Sequence, residues 1–158
     1  MELLAKITLT ILFLVVLYQD TKERQVYWFL FPLIGICCGY LYYSQTLTEL
    51  FIVSILINGL FVFVLLFVVY IYSRLKLKAS IFNSIGLGDI LLFFGLVFTF
   101  SSVSFIIIFI CALIFSLILH LFLKRNNSTV PLAGYISLFF GLTYAAYWLG
   151  IINSVYSI

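Results

Sequence analysis

The stretch ILLFFGLVFTFSSVSFIIIFICALIFSLILHLFL, residues 90–123, runs for 34 residues without a charge. At 1.5 Å per residue a single helix of this length would measure about 51 Å, whereas the hydrocarbon core of a bilayer is only ~30 Å thick. Ser101, Ser102 and Ser104 interrupt the apolar residues near the middle. We therefore predict two short helices that turn back on each other at these serines.

The composition of the whole chain is that of a membrane protein. Of its 158 residues, 66% are hydrophobic and 8% are charged, and the mean hydropathy is +1.32. Soluble domains carry about 25% charged residues, and one core of this size would not bury so much apolar surface. The net charge of +3 comes from eight scattered basic residues, so nucleic-acid binding is not expected. The apolar residues are expected to face a lipid bilayer.

Apolar runs of about 20 residues, the length that crosses a bilayer, predict an all-α, polytopic membrane protein with about six transmembrane helices. We expect a single transmembrane domain over residues 1–158. Since no small-x-small cleavage site follows the first run, that run is expected to stay as a helix. The predicted spans are about 3–19, 26–43, 50–73, 89–101, 104–123 and 130–151.

The basic residues support this count independently, because Lys and Arg accumulate in cytoplasmic loops. A single helix over residues 90–123 would put the clusters at Arg74 and Lys124 on opposite sides of the membrane. With a hairpin, both termini lie on the outer side of the cell membrane, and Lys6 is the only basic residue that is not on the cytoplasmic side. The seven residues then expected in the cytoplasm are Lys22, Arg24, Arg74, Lys76, Lys78, Lys124 and Arg125.

Two aspartates, Asp20 and Asp89, are the only ones in the chain, and both fall at predicted cytoplasmic helix ends. Asp20 closes the first span, and Asp89 opens the fourth directly after Gly86-Leu87-Gly88. Each has a structural alternative. An Asp at a helix start is typical of an N-cap. Asp20 lies at a helix C-terminus, where a carboxylate faces the negative end of the dipole, and Lys22 and Arg24 could compensate it in a solvated loop.

A shared cavity for the two acids would permit hydrolytic chemistry. Gly86 and Gly88 allow a tight backbone turn that lets Asp89 project into such a cavity. Two neighbouring carboxyl groups do not both ionise easily, so one holds a proton while the other polarises a water molecule, as in aspartic proteases. The carboxylate then activates water against a peptide carbonyl, and the acid protonates the departing group.

With Asp20 after the first helix and Gly-Leu-Gly-Asp (residues 86–89) opening the fourth, the chain resembles the type IV prepilin peptidase family, intramembrane aspartyl proteases of the GxGD type. The resemblance covers essentially the whole chain and implies that Asp20 and Asp89 are catalytic, supported by Gly86 and Gly88. Residues 130–135, VPLAGY, resemble a reduced form of the segment that opens the last helix in this family. Pro131 and Gly134 are therefore expected to support the site.

The resemblance also implies a substrate and a cleavage site. The substrate would be a prepilin or pilin-like protein whose short basic leader is removed at the cytoplasmic face, without a metal or cofactor. Tyr27 and Leu91 stand where family members often carry a Pro and a Lys. These replacements bear on the expected substrate specificity more than on the expected catalytic role of the two acids. The cysteine-rich methyltransferase region of larger relatives is missing, so methylation of the new N-terminus is not expected.

Several alternatives remain open at this point. Because intramembrane acids also serve as proton relays, the chain could be a small proton-coupled transporter or an accessory subunit. Transporters more often place such acids at the midplane in a broken helix, so the interfacial positions here favour hydrolysis. His120 is interpreted as an interfacial residue rather than a partner of the acids. Close helix packing is expected at four glycines: Gly35, Gly39, Gly59 and Gly95.

Overall fold

In the residues that it describes, the computed structural model of the chain is a bundle of six α-helices. It describes residues 1–77, 86–123, 130–152 and 155–156, and these contain no strand, which confirms the all-α prediction. One turn of π-helix, Ser73–Leu77, continues the third helix. The helices are α1 (Glu2–Lys22), α2 (Leu30–Tyr43), α3 (Thr48–Tyr72), α4 (Leu87–Leu96), α5 (Ser102–Phe122) and α6 (Leu132–Trp148).

Three helical stretches are long and apolar enough to cross a membrane: Glu2–Lys22, Thr48–Leu75 and Ser102–Phe122. In an apolar 18-residue segment of each stretch, at most 22% of the residues are buried inside the protein. Most of the apolar side chains of these helices are therefore at least partly exposed at the surface. An apolar exterior of this extent suits lipid rather than water. Lys78, Lys124 and Arg125, on which part of the predicted topology rests, lie outside the described residues.

Helices α1 and α6 pack antiparallel along most of their length. At one end Asp20 meets Gly134, in the middle Phe13 contacts Gly141, and at the other end the Lys6 ammonium lies 5.8 Å from the centre of a ring of Trp148. Asp20 therefore lies at the end of the bundle where α6 begins.

The predicted hairpin in residues 90–123 is present, but its turn begins earlier than the serines indicated. Helix α4 ends at Leu96 and α5 begins at Ser102, whereas the predicted spans covered 89–101 and 104–123. Helix α4 therefore has only 10 residues and measures about 15 Å, half the thickness of a hydrocarbon core. Thr99 and Phe100, in the turn, are fully buried.

Buried side chains explain why α4 stops where it does. Backbone carbonyls inside a membrane protein need hydrogen-bond partners, and the fully buried Asn58 of α3 supplies them. Its Nδ2 atom donates to the carbonyl oxygens of Val97 at 3.1 Å and Phe100 at 3.0 Å. The Tyr144 hydroxyl of α6 donates to the carbonyl of Thr99 at 3.3 Å. Sequence analysis did not single out Asn58, although an asparagine within a long apolar run was the available signal.

We predict that Asn58→Leu destabilises the protein, because two buried carbonyls lose their donor. The expected loss is about 1–3 kcal/mol, a fall in melting temperature of roughly 2–4 °C per kcal/mol, measured by thermal unfolding in detergent. Ser116→Ala is the matched control, because Ser116 is equally buried but its hydroxyl has no hydrogen-bond partner in the described part of the chain. Equal melting temperatures for the two variants would contradict this role of Asn58.

Glycines bring α2 and α4 into close contact, as expected for Gly35 and Gly95. A Cβ atom on Gly35 would lie 3.4 Å from the carbonyl oxygen of Gly95, and one on Gly95 would lie 2.8 Å from the carbonyl oxygen of Phe31. The contact at Gly59 is looser, with Val97 at 3.9 Å from a Cβ there. This tight α2–α4 contact sets the position of α4, and with it that of Asp89.

Candidate active site

Helix α1 carries Asp20 in its last turn, where the side chain is half-buried. The Asp20 Oδ2 atom accepts a hydrogen bond from the backbone N–H of Gly134 at 2.6 Å. A hydrogen bond from a backbone N–H to an ionised carboxyl group is charge-assisted and stronger than one between neutral groups. Asp20 is thus held against the start of α6, and the solvated-loop alternative does not describe its position.

Helix α4 carries Asp89 at its third position, since the helix begins at Leu87 and Gly86 is its N-cap residue. The Asp89 Oδ2 atom accepts a hydrogen bond from the backbone N–H of Gly86 at 3.2 Å. This is one half of a capping box. Asp89 therefore does help to cap α4, as the structural alternative predicted. It does so from the third helical position, because the N-cap residue is Gly86.

The first turn of α6 interacts with both acids. Its second and third residues are Ala133 and Gly134; the N–H of Gly134 binds Asp20, and the N–H of Ala133 interacts with the Asp89 carboxyl group. These N–H groups have no acceptor within their own helix, and the N-terminal end of a helix attracts negative charge. The start of α6 therefore offsets part of the repulsion between two carboxyl groups.

Asp20 and Asp89 line one cavity of about 390 Å³, and they are close enough for their charges to repel each other. The remaining lining comes from the chain after α1, the Gly-Leu-Gly turn and the start of α6. It consists of Arg24, Gln25, Val26, Gly86, Leu87, Gly88 and Ala133. The two acids, separated by 69 positions in the sequence, thus belong to a single site.

Gly134, Gly88 and Pro131, which the sequence predicted to support the site, differ in how closely other atoms surround them. A Cβ atom on Gly134 would lie 3.2 Å from both the Cβ and the Oδ2 of Asp20, closer than packed side chains normally come. Gly88 is less constrained, since a Cβ there would lie 3.5 Å from the Phe31 ring. Pro131 is the buried N-cap residue of α6, a position where its missing N–H costs no helical hydrogen bond.

Sequence analysis missed two contributors to the site. Ala133 acts through its backbone N–H, for which its side chain gives no signal. Arg24 was expected to compensate Asp20, and its charge does attract the Asp20 carboxylate, but its place in the wall of the cavity was not expected. Arg24 has a positive φ of 58°, a conformation that turns the chain at the end of α1. His120 lies in the last turn of α5 and does not line this cavity in the described part of the chain.

The arrangement has the groups required for acid–base catalysis. Two carboxyl groups line one cavity of about 390 Å³, which has room for several water molecules. Comparisons with protein-family models, with curated proteins and with solved structures found no match to this chain.

Proposed function

We propose that this chain is a membrane-embedded aspartic endopeptidase that removes the short basic leader from type IV prepilins or pilin-like proteins. The observation that carries the proposal is the position of Asp20 and Asp89 in one cavity, with neighbouring N–H groups of α6 on both acids. A capping role alone accounts for Asp89 but gives no reason for a second carboxyl group beside it. The resemblance to prepilin peptidases supplies the substrate class.

The two acids divide the chemistry between them. Arg24 lines the cavity and its charge favours the ionised form of Asp20, so we assign the carboxylate to Asp20 and the proton to Asp89. The Asp20 carboxylate takes a proton from water as the water oxygen attacks the peptide carbonyl carbon. Asp89 donates its proton to the carbonyl oxygen, which gives a gem-diol intermediate. As the C–N bond breaks, the proton on Asp20 passes to the departing amine, and one hydroxyl group of the intermediate returns its proton to Asp89.

The proposed orientation follows from the basic residues. Lys22 is the last residue of α1, Arg24 lies two residues further on, and Arg74 follows α3. Under the positive-inside rule these residues assign this end of the bundle to the cytoplasm. Cleavage at that face suits a leader that has not crossed the membrane. Because Arg24 lines the cavity, a basic leader gains little attraction there, and the affinity must come from the apolar part of the substrate.

The experiment that tests the proposal is cleavage of candidate prepilins from the same genome. Each candidate is co-expressed with the full chain, and removal of the leader is followed by gel shift and by mass spectrometry of the new N-terminus. We expect cleavage between the basic leader and the apolar helix. If a folded protein cleaved none of the candidates, the result would contradict the peptidase proposal and favour the non-enzymatic alternative.

Gly134→Ala should lower the cleavage rate about tenfold or more, because its methyl group would push Asp20 away from the α6 N–H groups; even a small displacement of a catalytic group is costly. Gly141→Ala is the matched control on the same helix, since a Cβ there would lie 3.7 Å from Phe13, an ordinary contact. The rates are compared on one prepilin at equal amounts of folded protein. If the Gly134→Ala and Gly141→Ala variants cleaved at the same rate, the absence of a side chain at Gly134 would not be needed to position Asp20.

A further inference from the structure

A second cavity, of about 430 Å³, runs along the seam between α2 and α4. We call it the α2–α4 groove. Three glycines, Gly35, Gly39 and Gly95, contribute to its lining. Two apolar side chains that also line it, Ile36 and Phe94, are 67% and 44% exposed. No charged side chain contributes to the lining that the structure describes.

The groove begins beside the two acids. Phe31 lines one end, and its ring lies 3.5 Å from the position of a Cβ on Gly88, which lines the acid cavity. Leu91, two residues after Asp89, also lines the groove. From Phe31 to Tyr40 the groove follows α2 for about 14 Å. One end of the groove therefore lies next to the acid cavity, with the Phe31 ring between them.

The position and lining of the groove indicate what kind of molecule fits. Gly35 and Gly95 pack against each other and join α2 to α4, so a ligand meets the apolar side chains on either side of this contact. The substrate class of the proposed function has an apolar helix directly after the cleaved bond. The groove is long enough for about two and a half turns of such a helix, and one end of it lies next to the acid cavity.

We propose that the α2–α4 groove binds the first turns of the apolar helix of the substrate, so that the peptide bond preceding this helix reaches Asp20 and Asp89. The assignment of the substrate rests on the proposed function. The groove then supplies the affinity that the acid cavity, with Arg24 in its wall, does not offer to a basic leader.

A bulky residue on the rim of the groove should weaken substrate binding. We expect Ile36→Trp to raise KM for a prepilin probe about tenfold, which corresponds to ~1.4 kcal/mol, with kcat little changed. Leu56→Trp is the matched control, because Leu56 has the same 67% exposure but lies on α3 and does not line the groove. Equal KM values for Ile36→Trp and Leu56→Trp would overturn the proposal.

Photo-crosslinking separates this proposal from the peptidase proposal. A benzophenone amino acid is placed at position 36 or 56 of the full-length Asp89→Asn variant in vesicles, and a labelled prepilin probe is added. We expect a probe adduct at 36 that unlabelled probe competes away, and none at 56. Lipid adducts alone at 36 would overturn the docking proposal even if the wild type cleaves the probe. A competed adduct at 36 without cleavage by the wild type would support docking and contradict the peptidase.

Discussion

Asp20→Asn and Asp89→Asn should each lower the rate of prepilin cleavage by about 10²–10⁴, the typical contribution of a positioned acid or base. An amide neither takes a proton from water at Asp20 nor donates a carboxyl proton at Asp89. Thermal stability should change little in the Asp89→Asn variant, because Asn still accepts the N–H of Gly86 and removes the repulsion between the two acids. The rates are measured with one prepilin probe and equal amounts of folded protein.

Glu23→Gln is the control for the loss of a nearby acid. Glu23 follows the last residue of α1, is exposed and does not line the cavity, so its variant should keep the full rate. If both Asn variants cleaved at the wild-type rate, Asp89 would be a capping residue only and the pair would not be catalytic. A lost rate together with a lowered melting temperature would instead indicate a folding defect, so both quantities are measured for every variant.

Gly95→Ala should cause the largest loss of stability among the glycine substitutions. The new Cβ would lie 2.8 Å from the carbonyl oxygen of Phe31, and because this atom belongs to the backbone of α2, the two helices must separate. Overpacking typically costs 1–3 kcal/mol, against about 1 kcal/mol gained from the higher helix propensity of Ala. We expect the melting temperature in detergent to fall by several degrees, since ~1 kcal/mol corresponds to roughly 2–4 °C.

Gly59→Ala is the matched control, because it is also a glycine within a helix but has only Val97 at 3.9 Å from the new Cβ. Its melting temperature should be unchanged or higher. Gly95→Ala should also lower activity, since Phe31 contacts the Gly-Leu-Gly turn that positions Asp89. If the two variants had the same melting temperature, the α2–α4 contact would be able to accept an added methyl group, which would contradict the close approach described above.

Features that depend on neighbouring residues could be predicted from the sequence. The apolar runs predicted the helices, and the length of residues 90–123 predicted the hairpin, because the thickness of a bilayer limits any helix that crosses it. The position of the hairpin turn was wrong by several residues. The serines marked a weak point, but the turn lies where Asn58 and Tyr144, on two other helices, satisfy its carbonyl groups.

For the site, the two acids, the glycines beside Asp89 and the helix ends that carry both acids could be predicted from the sequence. The interaction of the α6 N–H groups with both carboxyl groups, and the groove beside them with glycines in its lining, could not be predicted in this way. The physical reason is distance along the chain: Asp20 and Gly134 are separated by 114 positions. Their contact depends on how α1 and α6 pack, and no local pattern of residues encodes that packing.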